Sequence, residues 1–399
     1  ATNIAETSLT IDGIRYVIDS GYMKCKVFKP SIGMNALTLY PVSRAQANQR
    51  AGRAGRTAEG VCYRLYTEHQ YVTELIDAPV PEIQRSSVDS VVLLLKSIGV
   101  VDLAQFDFLD APPQQNLEAS LCRLWLIRAL DDAGRITEDG RRIADFPADP
   151  PMARTLLEAC KLGCGEEAAS VVSVLCSDSR SVFAMPKGRE ESAKAAREKF
   201  YAPDSDHITL LNVFEQYVAN GMSRAWADDH MLNHLALKRA ADIRVQFVDR
   251  LTRDFKLTLG SCDGNKDMVR EAFTAGYFAN SARRSSMTEY TTLMNGVPCE
   301  LHPLSAVLNA GIAPDYVIFN ELTMTTREYV TVVSAVEPQW LISVSRGLFS
   351  TRDDNMMKHH VNLVREQRKA ILAAAEEQQR APQPAAAGDL LQNQVTGGA

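Results

Sequence analysis

Arg50, Arg53 and Arg56 recur at three-residue spacing in Gln49-Arg50-Ala51-Gly52-Arg53-Ala54-Gly55-Arg56, with only Ala and Gly between them. The arginine fork is planar, permanently charged and matched to phosphate oxygens. Gly and Ala let the backbone approach a facing surface closely, and Gln49 adds an amide able to orient an attacking water. These residue types suit polyphosphate chemistry, in which arginines supplied across an interface neutralise charge on a transferring phosphoryl group. Taken alone, an octapeptide of this composition reads as a solvated basic helix start. The surrounding chain has to decide.

Upstream, Ala1-Thr2-Asn3-Ile4-Ala5-Glu6-Thr7-Ser8-Leu9-Thr10-Ile11-Asp12-Gly13 is polar-rich and leads into the strand-like Ile14–Asp19. Met23–Pro30 and Ala36–Tyr40 read as two strands around a turn at Ser31-Ile32-Gly33, a hairpin carrying Lys24, Lys26 and Lys29. Lysines on such a strand protect a free sheet edge from mispairing. Ala78-Pro79-Val80-Pro81-Glu82 breaks regular structure and reads as a linker. Beyond it, helical patterns at Ser86–Ile98 and Asn116–Leu130 precede a turn and short strand at Asp132–Thr137, an order that suits a winged helix. Leu124 and Trp125 read as core.

From Pro150 to about Leu259 helical patterns dominate: Met152–Leu162, Glu166–Leu175, Ser192–Phe200, His207–Asn220 and Asp228–Phe255. In Asp204-Ser205-Asp206-His207, Asp206 reads as the cap of the following helix, a simpler account than acid-base chemistry at His207. Residues 262–344 shift to short strands, Glu300–His302, Tyr316–Phe319 and Tyr329–Val333, suggesting a small barrel of the OB type. Tyr277 and Phe278 read as core. After Gly347 a charged helix gives way to a low-complexity tail that cannot bury a core.

With 399 residues the chain is long enough for several cores. A hydrophobic content of 46% and mean hydropathy of -0.16 describe a globular protein, and no run approaches a membrane span. The net charge of -6 argues against nucleic-acid binding through bulk charge, but not against a local channel. Eight cysteines occur without a CxxC pair; Cys160 and Cys164 fit one helix face as buried thiols, and no metal site is expected. A reducing compartment follows.

The unbroken pair ATNIAETSLTID and QRAGRAGR resembles motifs V and VI of superfamily 2 helicases, in the form carried by DEAH-box RNA helicases. The resemblance runs over residues 1 to about 350. It implies RNA-backbone contacts at Thr2 and Asn3, phosphate or ribose contacts at Ser8, Thr10 and Asp12, a water-positioning role for Gln49, and arginine fingers at Arg53 and Arg56. Glu6 and Arg50 would either brace the two motifs or form a solvent-exposed pair of little energetic weight. Further RNA contacts are implied at Lys24 and Lys26 of the hairpin and at Arg283 and Arg284 in the segment leading into the OB fold.

The implied architecture is multidomain, α/β plus α+β: part of the second RecA-like lobe with its hairpin (1–78), a winged helix (79–148), a helical ratchet bundle (149–260), an OB-fold barrel (261–346), then a charged helix and disordered tail (347–399). ATP and Mg2+ are the implied cofactors. No GxxxxGK[ST] loop or DEAH box occurs in these residues, so Mg2+ ligands are expected on a first lobe, and the chain reads as a C-terminal piece that does not hydrolyse ATP alone. Segments such as Ser31–Leu37, Pro186–Glu191, Gly296–Pro303 and Ala313–Tyr316 resemble most the pre-mRNA-splicing ATPases that act between the two catalytic steps. Implied partners are single-stranded pre-mRNA or snRNA, spliceosomal proteins and a glycine-rich helicase activator, in the nucleus. Alternatives are a DEAH-box helicase of spliceosome disassembly or ribosome biogenesis, or a non-enzymatic binding module.

Overall fold

The computed structural model describes residues 5–6, 12–30, 33–56, 59–177, 182–183, 188, 190–286, 288–324 and 327–350. Thr2, Asn3, Ser8, Thr10 and the tail beyond residue 350 lie outside them. Strand β1 (Tyr16–Asp19) is followed by the hairpin β2 (Tyr22–Lys29) and β3 (Met34–Pro41), helix α1 (Arg44–Ala54) and β4 (Val61–Arg64). β4 pairs in parallel with β1, from Tyr16 opposite Val61 to Asp19 opposite Arg64. Alternation along both strands turns Tyr16, Ile18, Val61 and Tyr63 to an exposed face.

Short helices α2 (Glu68–Thr73) and α3 (Glu82–Arg85) lead to α4 (Asp89–Ser97), α5 (Gln114–Leu126) and α6 (Glu138–Asp145). Between α5 and α6 the expected short strand is a single bridge, Leu130 to Ile136. Leu124 is buried as expected. Trp125 is half-buried: its indole N–H donates to Asp132 Oδ1 at 2.8 Å, and the Arg346 guanidinium lies 4.9 Å from its ring.

The helical region comprises α7 (Pro150–Leu162), α8 (Gly165–Cys176), α9 (Glu190–Glu198), α10 (Asp206–Ala219), α11 (Arg224–Asp229), α12 (His234–Asp249) and a π-helical turn at Arg250–Asp254. The single helix expected over Asp228–Phe255 is therefore broken. Met231 takes a left-handed φ of 53°, and Asn233 caps α12 by accepting from the amides of Leu235 and Ala236. Cys160 and Cys164 do not share one helix either: Gly163, at φ 87°, ends α7, and Cys164 begins α8. Burial pushes their thiols up to about 11 and about 12.

α13 (Asp267–Tyr277) crosses α7 and delivers the chain to β5 (Ser281–Arg284), β6 (Glu289–Thr292), β7 (Pro298–Leu301), the short α14 (Ala306–Asn309), β8 (Tyr316–Met324), β9 (Glu328–Ala335) and α15 (Pro338–Val344). β8, β5, β6, β7 and β9 run in that order, and β8 also pairs with β9, so five strands close on themselves. Tyr290, Leu301, Val317, Phe319, Val330 and Val333 fill the interior. Tyr277 and Phe278 are buried as expected. The sequence reading missed β5 and β6; each has only four residues.

Ser205, not Asp206, caps α10, its hydroxyl accepting from the Ile208 amide. Asp206 instead reaches the barrel, where its buried carboxylate accepts from Val333 N–H at 2.8 Å, Ala306 N–H at 2.7 Å and Ser305 Oγ–H at 3.1 Å. Val332, just before Val333, takes φ 53°, a strained value for a β-branched residue. His207 is buried beside it. Asn320 Oδ1 can only accept, so Nε2–H of His207 donates to it at 2.8 Å, and Nδ1 accepts from Ser334 Oγ–H at 2.6 Å. Ser334 Oγ in turn accepts from Ser205 Oγ–H at 2.6 Å. These three consecutive residues join the helical region to β8 and β9.

Burial pushes the Asp206 carboxyl up to about 6 against its donors, and burial drives the His207 imidazole down to about 4 against the Asn320 bond. The folded state thus holds the Asp206 proton to higher pH than the unfolded chain, whose value is 3.8, so this group's contribution is present below 3.8 and is lost as pH rises through about 6. His207 does the reverse: its contribution is present above the unfolded value of 6.5 and is lost as pH falls through about 4. Relative to wild type, Asp206→Asn should therefore steepen the gain in melting temperature between pH 4 and pH 6, and His207→Asn should flatten it. Both curves are read by thermal denaturation across that range. A second prediction concerns the α7–α13 crossing, where a Cβ on Gly276 would lie 2.2 Å from Thr155 Oγ1 and 2.3 Å from the Pro151 carbonyl oxygen. Gly276→Ala should cost about 1–3 kcal/mol by overpacking, measured by urea denaturation.

Candidate nucleotide-facing site

α1 forms because Ser43 closes a capping box with Gln46, and because Ala47 and Ala54 are small enough to lie flat on the β1–β4 pair. A helix advances 100° per residue, so Gln49, Gly52 and Arg53 lie on one side of α1, and Arg56 follows just past its Gly55 cap. Gln49, Gly52, Arg53 and Arg56 accordingly line one open depression of about 290 Å³. The three arginines of the octapeptide divide into two that face outward and one that faces in.

Arg50 is the inward one. Its Nε donates to Glu6 Oε2 at 2.7 Å, one terminal nitrogen donates to Asp19 Oδ1 at 2.7 Å, and the same nitrogen reaches the Tyr22 carbonyl at 3.2 Å. Side-chain exposure is 16% for Arg50, 6% for Glu6 and 0% for Asp19. The Glu6–Arg50 contact is therefore the brace between the two motifs, not a solvent-exposed pair. Asp19 also accepts from Tyr66 Oη at 3.0 Å and from the Gly21 amide at 3.0 Å, so its lone pairs are well used. Burial opposes the Arg50 charge, but the hydrogen bonds it donates to Glu6 and Asp19, with their charges, outweigh it and raise the guanidinium. Burial, then the Asp19 bond, pushes the Tyr66 phenol up to about 12.

Arg53 Nε donates to the Glu6 backbone carbonyl at 2.6 Å, which ties one finger to the same segment. Arg56 and Gln49 are exposed. Asp12 is exposed, with Gly13 at φ 80° after it. Sequence reasoning missed Asp19 and Tyr66. The signal for Asp19 was present: an acidic residue closing the strand Tyr-Val-Ile-Asp, on the same side as Val17 and hence facing α1.

The remaining basic candidates lie elsewhere. Lys26 Nζ bonds Glu321 Oε1 on β8 at 2.6 Å, and Lys24 is exposed on the same strand. Arg284 pairs with Asp315 at 2.6 Å; Arg283 is exposed and stands opposite Tyr316. Lys26 meets β8 at Glu321 and Arg283 stands opposite Tyr316, so the two basic groups flank different ends of that strand, about 17 Å apart at the usual rise per residue. Among the described residues no three His, Cys, Asp or Glu side chains converge where they could hold a metal ion.

Asp19→Ala should leave Arg50 half-satisfied in a buried setting and cost about 3 kcal/mol. Chemical denaturation measures it. An unchanged midpoint would show that the brace carries no weight.

Three family models match: the oligonucleotide/oligosaccharide-binding (OB) fold over residues 269–348, the ratchet-like helicase associated domain (HA2) over 149–210, and the winged-helix part of that domain over 123–148. The pre-mRNA-splicing factor ATP-dependent RNA helicase prp22 of Schizosaccharomyces pombe is 41% identical over 358 residues, 90% of this chain. The chain spans 30% of that relative's length. Winged helix, ratchet-like region and closed five-stranded OB barrel follow one another here in the order of these matches, and with the identity to prp22 they place the chain in the DEAH-box RNA helicase family, as a C-terminal part.

Proposed function

We propose that the chain serves as the C-terminal part of an ATP-dependent helicase that translocates on single-stranded RNA and remodels the nuclear spliceosome during pre-mRNA splicing. The observation that carries this reading is the open depression lined by Gln49, Arg53 and Arg56, beside a third arginine committed to a buried brace. Two guanidiniums and an amide on one open surface fit the triphosphate of ATP presented by a facing lobe. ATP when bound supplies the phosphoryl group whose transfer to water drives the cycle. In this reading Arg53 and Arg56 neutralise charge developing on that group, and Gln49 holds the water in line.

The β1–β4 pair supports a RecA-like lobe in 1–78. Parallel strands are ordinarily covered on both faces, yet Tyr16, Ile18, Val61 and Tyr63 are exposed on the face opposite α1. We read this face as the place for further strands and helices of the same lobe, and 79–148, 149–260 and 261–346 as winged helix, ratchet and OB domains. Mg2+ ligands belong, on this reading, to a first lobe across the nucleotide. Thr2 and Asn3, Ser8, Thr10 and Asp12 keep their proposed RNA, phosphate and ribose roles, and Lys24, Arg283 and Arg284 are the basic side chains offered to RNA, Lys26 being paired with Glu321. Phosphate contacts of this kind give little base specificity, so target choice rests with spliceosomal partners.

In the complete helicase, Arg56→Ala should lower RNA-stimulated ATP hydrolysis on the order of a thousandfold without moving the melting temperature, since Arg56 is exposed. Hydrolysis near the wild-type rate would sink the finger assignment.

A further inference from the structure

The hairpin β2–β3 is built into the fold at both ends. At its base, Val42 N–H donates to the Gly21 carbonyl at 2.9 Å, Gln46 of α1 donates from Nε2 to Met23 Sδ at 3.2 Å, and Met23, like Tyr66 and Tyr71, packs against the cluster of Val42, Ala47 and Leu75. The arginine-bearing helix and the hairpin base therefore share one small core. At its far end, β3 pairs in parallel with β8 of the barrel, Asn35 opposite Thr323 and Ala36 opposite Met324, with Ala36 buried.

Between these ends two side chains fix the hairpin laterally. Phe28 is buried under the Arg123 guanidinium, 4.5 Å from its ring, and Arg123 is held by both carboxylate oxygens of Asp89 at 2.6 and 2.8 Å. Lys26 bonds Glu321 at 2.6 Å, in a field that also contains Asp149 at the start of α7. Glu321, Asp149 and Asp89 come from three different regions of the chain. Lys26 is thus paired with a barrel carboxylate even though its side chain is 59% exposed.

Resting on the helicase reading for its functional consequence, we propose that the hairpin is a strut transmitting displacement of the arginine helix α1 to the five-stranded barrel. In it Lys26 is a positioning residue seated on Glu321, not a side chain that grips RNA phosphate. Nucleotide-driven movement of α1 reaches the barrel through covalent chain, the shared core around Met23, and the β3–β8 pairing. The Lys26–Glu321 bond sets where along β8 the hairpin seats. The pair is partly exposed, so its effect is modest and its geometry, not its strength, is what matters.

The test uses the complete polypeptide with Glu321→Lys, Lys26→Glu and the double exchange. Glu321→Lys should keep RNA-free hydrolysis, reduce its stimulation by RNA about threefold, and raise hydrogen exchange of hairpin amides 34–40 by about the same factor, the range expected for a pair of this exposure. The double variant Lys26→Glu/Glu321→Lys should restore both readings and leave RNA affinity unchanged. Failure of the double variant to restore stimulation, with weaker RNA binding and a shallower salt dependence, would make Lys26 an RNA contact and overturn the proposal. Unchanged exchange in Glu321→Lys would overturn it as well. A complete protein lacking RNA-stimulated hydrolysis would defeat the helicase reading alone, because the exchange measurement needs no ATP and judges the strut by itself.

Discussion

The buried contact of Arg50 with Asp19 and Glu6 is the constraint on which the nucleotide-facing surface depends. Two carboxylates approach one guanidinium within 2.7 Å, and removal of either leaves charge in a setting where water cannot compensate it. This arrangement fixes the rotation of α1 about its own axis. With Arg50 anchored on Glu6 and Asp19, Gln49 and Arg53 are turned toward the open depression, and Arg56 follows just past the Gly55 cap. The same contacts draw the segment bearing Glu6 against α1, so that Arg53 can bond the Glu6 carbonyl. Orientation of the outward arginines is thus a packing result before it is a chemical one.

A second buried polar junction organises the other half of the molecule. Ser205, Asp206 and His207 make seven hydrogen bonds to the barrel, the segment around α14 and α10 itself through a directed series of donors and acceptors. Asp206 and His207 sit side by side with displacements of opposite sense, each caused chiefly by burial. Fully partnered networks of this kind specify a single docking geometry, whereas an apolar contact of equal area would tolerate sliding. The hairpin adds the third joint, and the barrel receives both.

Much of this was legible in the residues. Alternation and turn chemistry marked the hairpin and most of the helices, and the octapeptide marked the outward arginines. Other features were not, for physical reasons. β5 and β6 are four residues long and carry Arg283, Arg284 and Glu289, so no apolar alternation announces them. The break before α12 depends on Met231 adopting a left-handed conformation that its side chain does not advertise. Asp206 was misread as a cap because local spacing cannot reveal an acceptor's partners more than ninety residues away, at Ser305 and Val333. Spacing likewise placed Lys24 and Lys26 on one strand but could not show that Glu321 meets Lys26.

The division of labour within the octapeptide has a consequence for how this sequence can change over generations. Gln49, Arg53 and Arg56 answer to whatever lies across the depression, and substitutions there are judged by that external surface. Among side chains, Arg50 is bonded to Glu6 and Asp19, residues 44 and 31 positions upstream. A lineage that altered Asp19 while keeping the octapeptide letter for letter would inherit an unbalanced internal cation beneath an intact motif. Position 50 should therefore drift jointly with positions 6 and 19 and independently of 53 and 56, so that one contiguous motif behaves as two separately inherited traits.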